Sequence, residues 1–153
     1  MKLKVRSLLT SCAGIVLSAV LVALPACKDD PQPPPPEPTQ KEITTALLTK
    51  GTWPLTSIVV EGEDASALFT GFSLTFTNTG YTTTGTTPVW ARSGTWSFTD
   101  DTATKFKRDD NIEVTITSVD DKTLKLTLFW DKQTTQGGRT NSIPGRHDFI
   151  LTK

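Results

Sequence analysis

From Trp53 to the C-terminus, apolar and polar residues alternate in short runs. Phe72, Leu74 and Phe76 interleave with Ser73, Thr75 and Thr77, and Ile112, Val114 and Ile116 with Glu113, Thr115 and Thr117. Leu124, Leu126, Leu128 and Trp130 share one side of a further run. A period of two puts each apolar set on one face of a strand. The pattern predicts strands over 53–61, 72–77, 81–84, 89–99, 112–118, 123–130 and 146–152, with a short edge strand at 103–107. Phe149 and Leu151 would point inward from the last of these. Asn78-Thr79-Gly80 and Asp120-Asp121-Lys122 supply turn chemistry between runs.

Ahead of Trp53 the period changes. Thr39-Gln40-Lys41-Glu42 has the form of a capping box, with Thr at the N-cap and Glu three residues later. Ile43 and Leu47 follow on one helical face, and Lys50-Gly51 provides a stop signal, so a short helix is expected over 40–49. One more helical turn is expected between Asp64 and Phe69. Seven or eight antiparallel strands, each apolar on one side and Thr-rich on the other, fit a sheet buried on one face. Closing that sheet removes exposed edges. The expectation is an all-β fold over residues 40–153: a small up-and-down antiparallel β-barrel preceded by a short helix.

Residues 1–26 read differently. A basic start (MKLKVRS) is followed by an apolar stretch to Leu24, the order of an export signal. Leu24-Pro25-Ala26-Cys27 resembles the bacterial lipobox, although Pro25 stands where a small residue is usual. The resemblance implies a diacylglycerol on Cys27 and cleavage before it. Leu9-Thr10-Ser11-Cys12 matches the same pattern, but cleavage there would leave the apolar stretch behind the cut. Lys28, Asp29 and Asp30 follow Cys27 and resemble the surface-export signal of Bacteroidota lipoproteins, which implies the outer face of the outer membrane. Residues 31–38 hold six prolines in eight positions. Proline lacks an N–H and fixes φ, so a tether over 27–39 is expected to run as extended polyproline II.

Charge narrows the function classes. The chain has 16 basic and 16 acidic residues, and Lys2, Lys4 and Arg6 lie in the export segment. The remainder is mildly acidic, which argues against a nucleic-acid partner. With Cys12 removed, Cys27 stands alone, so no internal disulfide can form.

Catalytic and metal chemistry find little to stand on. His147 is the only histidine. It adjoins Asp148, but strand neighbours point to opposite faces, and no nucleophile motif accompanies it. It is expected on the surface. The acidic pairs Asp100-Asp101, Asp109-Asp110 and Asp120-Asp121 fall at turns and lack the spacing of a calcium loop. No metal, no cofactor and no enzymatic activity are expected. Tyr81, Trp90, Trp96 and Trp130 could instead form a stacking platform for a ligand, or pack as core. The loop 131–145 is long for a hairpin and carries Arg139 at a Gly-Gly tip, which adds Arg139 to the candidate ligand-binding set.

Gly51-Thr52-Trp53 at the head of the first strand matches the G-x-W signature of lipocalins. Together with Val60-Glu-Gly-Glu-Asp64, Phe69-Thr-Gly-Phe-Ser-Leu-Thr-Phe76 and Ser93-Gly-Thr-Trp-Ser-Phe98, the chain from about residue 45 resembles lipocalin-like domains of Bacteroidota lipoproteins. The resemblance implies a barrel with Trp53 packed at its closed end beneath a basic residue from near the last strand, Arg146 or Arg139. It also implies a small apolar ligand, unless Phe72, Leu74, Phe76, Leu124 and Leu126 fill the interior. Two functions are therefore expected to compete. One is a surface-anchored, non-enzymatic binding module for a small apolar or glycan ligand. The other is a filled barrel that docks an envelope protein partner.

Overall fold

The computed structural model describes residues 34–86, 89–132, 135–136, 139–140 and 143–153, the two short pairs by their backbone alone. The capping box forms as the sequence requires. Glu42 N–H donates to Thr39 Oγ1 at 3.3 Å, and Thr39 N–H donates to the Glu42 carboxylate at 2.7 Å. Helix α1 (Gln40–Leu48) follows, with Thr44 and Leu48 buried.

The chain then enters eight strands that close into an antiparallel barrel. These are β1 (Thr52–Val60), β3 (Ser73–Phe76), β4 (Gly80–Thr84), β5 (Ser93–Phe98), β6 (Lys105–Arg108), β7 (Glu113–Val119), β8 (Thr123–Trp130) and β11 (Gly145–Thr152). Each pairs with its predecessor in this series, and β11 returns to β1 from Leu55↔Leu151 to Val60↔His147. Two-residue strands decorate the connections: β2 (Glu63–Asp64) on β1, and β9 (Thr135–Gln136) paired with β10 (Arg139–Thr140). A 3₁₀ turn, η1 (Ser66–Phe69), follows β2.

Up-and-down order sorts the connections between the two ends. Tight turns at 77–79 and 120–122, the 99–104 turn and α1 lie at one end. Segment 61–72, the 109–112 turn and the described residues that flank β4, β5, β8 and β11 on that side lie at the other. These are called the helix end and the loop end below. The turn carboxylates serve their own backbones. Asp100 accepts from Thr102 N–H at 2.9 Å and Asp120 from Lys122 N–H at 2.7 Å, as Asx turns do.

Three expectations need correction. The 103–107 run is no edge: β6 pairs with β5 on one side and β7 on the other, because closure leaves the barrel wall no edge. The 89–99 run is one strand only from Ser93. Val89 and Trp90 leave the wall and lie buried, 1% and 3% exposed. His147 is inside rather than on the surface, 1% exposed. It shares the inward face with Phe149 and Leu151, two and four residues on, as the period of two demands.

The interior is filled. Phe69, at the end of η1, meets Phe72 and Phe149 edge-on at 5.9 and 5.5 Å between ring centroids. Leu74, Phe76, Phe106, Leu124 and Leu126 continue the packing toward the helix end, each at most 2% exposed. Each such side chain stabilises the fold by about 1.5–3 kcal/mol.

Candidate functional site

The tryptophan of Gly51-Thr52-Trp53 packs at one end of the barrel, and the cation beside it is neither Arg146 nor Arg139. Trp53 is fully buried at the helix end, and its Nε1–H donates to the Leu48 carbonyl at 2.8 Å, tying barrel to helix. The cation over its ring is Lys153, with Nζ 3.6 Å from the centroid. Arg146 cannot take that place. It is the second residue of β11, opposite Phe129 at the loop end, and its Nε donates to Asp148 at 3.1 Å. Arg139 lies in β10, within the long loop, and its side chain falls outside the described residues. The C-terminal lysine supplies the charge because β11 runs from the loop end to the helix end. Burial, with Lys50 nearby, lowers the Lys153 pKa, while Asp121 opposes the shift.

The four candidate aromatics divide between the ends. Trp96 packs against Phe76, Phe98 and Phe106, and its Nε1–H reaches the carbonyls of Thr77 and Gly80 at 3.1 Å each. It is core, with its polar atom satisfied, and forms no platform. Tyr81 and Trp90 do come together, edge-to-face at 5.2 Å, toward the loop end. Trp130, the last residue of β8, faces inward at that end with Lys132 Nζ 5.6 Å from its ring.

Tyr81 and Trp90 are joined by Arg108, a charged residue that the alternation places inside. It is 2% exposed. Its guanidinium lies 4.4 Å from the Trp90 ring centroid and 5.9 Å from that of Tyr81. Nη1 donates to the Val89 carbonyl at 2.9 Å, Nε to Asp110 Oδ1 at 3.1 Å, and Nη2 to Asp110 Oδ2. The guanidinium is thus stacked on its face and bonded around its rim, the arrangement that tolerates a buried arginine. One signal could have found it. Phe106 faces inward, so the residue two further along must do so too.

Gly94 completes the wall of the cluster. It stands opposite Tyr81 in the β4–β5 ladder. A Cβ there would lie 2.6 Å from both the Tyr81 hydroxyl and Asp109 Oδ1. The missing side chain is the space the phenol uses, and it brings hydroxyl and carboxylate within twice that distance of each other. Burial raises the Tyr81 pKa; the Arg108 charge works against this, and Asp109 and Asp110 add to it.

Three buried polar atoms have no hydrogen-bond partner among the described residues: Tyr81 Oη, Trp90 Nε1 and Trp130 Nε1. Buried polar groups are nearly always paired, and each one left alone costs about 1–3 kcal/mol. Trp90 and Trp130 lie near the loop end, Tyr81 reaches Trp90 and Arg108 from the start of β4, and all three can donate. His147 lies in the same half, stacked on Phe149, with Nδ1 3.0 Å from the Gly145 carbonyl oxygen. Burial lowers its pKa, and the Gly145 carbonyl, Glu61 and Asp148 oppose that shift. Asp148 itself faces outward and accepts from Thr127 Oγ1 at 2.6 Å, so no His–Asp couple forms.

Two grooves lie on the outside of the wall. One, of about 550 Å³, runs over β7, β8 and the start of β11 and includes Phe129 and Arg146. The other, of about 450 Å³, follows the seam between β1 and β3, with Phe69 and Phe72 at its floor. Among the described residues no group of three or more His, Cys, Asp or Glu could hold a metal ion, and no helix is long and apolar enough to cross a membrane. Cys27, Lys28, Asp29 and Asp30 lie outside the described residues. Comparison with protein-family models, with curated proteins and with solved structures gives no match.

Proposed function

We propose that this chain is a lipoprotein that works as a non-enzymatic binding module, anchored through Cys27 to the outer membrane and presented at the cell surface on its proline-rich tether. The reading of the ligand rests on one observation: among the described residues, Tyr81 Oη, Trp90 Nε1 and Trp130 Nε1 are buried without partners. Indole N–H groups only donate, so the complement they lack is an oxygen acceptor. An apolar ligand would leave them unpaired. It would also need the volume already held by Phe69, Phe72, Trp90 and Phe149. An anion is disfavoured as well, because Asp110 already balances Arg108 and Asp109 stands beside Tyr81. A small neutral ligand bearing hydroxyl or carbonyl oxygens, such as a sugar unit, fits best. It would insert one oxygen-bearing edge from the loop end rather than occupy the barrel.

The indole N–H signals of the full-length chain, purified in detergent with ¹⁵N-labelled tryptophan, test this directly. Titration with N-acetylglucosamine or glucose is expected to move the Trp90 and Trp130 signals saturably. Those of Trp53 and Trp96, already bonded to carbonyls, should stay in place. Four stationary signals, or four that drift together, would rule the site out. Movement with acetate but not with sugar would make the ligand an anion. The intact mass of the same preparation reports the anchor: an unacylated Cys27 on a chain made in a lipoprotein-processing cell would refute it.

A further inference from the structure

A second surface stands apart from the buried cluster. On β8, Leu128 and Trp130 point inward, so Phe129 between them points out, and it is 64% exposed. It is the most exposed large apolar residue described, on a wall otherwise dominated by threonine. Phe129 does not stand on a flat face. It lines the 550 Å³ groove together with Ile112, and Glu113, Asp131 and Arg146 are there with it. The charges do not cancel. Arg146 is turned to Asp148 at 3.1 Å, and that carboxylate lies outside the groove lining. Glu113 is likewise matched, by Lys105 at 2.9 Å, so among the described residues Asp131 is the lining carboxylate left without an ion pair beside the apolar centre.

We propose that this groove docks a segment of a partner protein in which an apolar side chain stands beside lysine or arginine. An exposed aromatic in a concave patch is the usual anchor of an interface, and a charged rim selects the partner's sign. In the groove, β7, β8 and β11 are each paired on both sides, so the described wall offers no strand edge there. A partner there must read side chains rather than add a strand. The groove is built from the outward faces of β7, β8 and β11, so it can be occupied whether or not the inward-facing cluster holds a ligand.

Backbone amide NMR of the full-length chain in detergent tests the inference with two short peptides, one carrying Leu-Phe between lysines, the other the same pair between glutamates. The lysine peptide is expected to shift amides of 111–115, 127–131 and 146 saturably, and more weakly as salt is raised. Phe129→Ser should weaken it about tenfold or more. Asp131→Asn should weaken it a few-fold. Both side chains lie outside the core, so an otherwise unchanged spectrum confirms that each variant folds. An equal response to the glutamate peptide, or none to either, overturns the proposal. Broadening of the same amides with protein concentration alone would make a second copy of the chain the occupant, and would overturn it too.

Discussion

The two ends of this barrel are made from the same residue types and solve the same problem differently. At the helix end Trp53 gives its indole proton to the Leu48 carbonyl, and Trp96, opposite Arg108 in the β5–β6 ladder, turns its own back to the carbonyls of Thr77 and Gly80. At the loop end, Trp90, stacked on the buried Arg108, and Trp130 bury theirs without partners among the described residues. The first arrangement is what stability alone would select. The second carries unmatched polarity in a low-dielectric setting, where such groups are most costly. Among the described residues, the indoles without a partner are thus Trp90 and Trp130, while Trp53 and Trp96 are matched.

The contrast can be broken most severely at Arg108. Asp110→Ala strands a buried guanidinium, and chemical denaturation should show a loss of about 3 kcal/mol. Adding Arg108→Met, which fills a similar volume without charge, should restore most of that loss. If the double variant is no more stable than Asp110→Ala alone, the pair is not coupled as its geometry says.

A smaller effect compares the indoles themselves. Trp53→Phe removes a satisfied donor and leaves the Leu48 carbonyl without it, so it should cost about 1–3 kcal/mol. Trp90→Phe removes an unsatisfied one and should cost distinctly less, or stabilise. Equal losses of melting temperature in the two variants would erase the distinction between the ends.

The mildest test is pH. Burial holds the folded pKa of His147 below its ordinary value of 6.5. Above that value the residue is neutral in both states and its contribution is flat. Below it the unfolded chain takes up a proton first, so stability declines as pH falls toward the lowered folded pKa. As the chain has one histidine, the decline in melting temperature between neutral pH and about pH 5 should flatten in His147→Leu. A slope unchanged by that substitution would place the titrating group elsewhere.

Much of this was legible in the alternation. The strands at 72–77, 112–118 and 123–130 lie within a residue or two of their expected bounds, because each has one face that must be buried and one that water must wet. The capping box was equally readable, since its hydrogen bonds are local. Trp90 was misplaced for the opposite reason. Its neighbours Val89 and Ala91 continue a strand-like composition, and nothing local says that the segment leaves the wall to cover the barrel. Arg108 was missed because a charged residue reads as exposed, although its register with Phe106 said otherwise. His147 reads as exposed by the same chemistry, and the same period puts it inside with Phe149 and Leu151.

Taken alone, then, the sequence determined which residues alternate, hence the strands, their inward faces and the helix that precedes them, because these follow from burial over two to four residues of chain. It could not determine which cation covers Trp53, or that Arg108, Tyr81 and Trp90 meet. Those contacts join positions up to 100 residues apart, Trp53 to Lys153. They exist only once β11 has closed on β1 and fixed which end of each strand lies beside which loop.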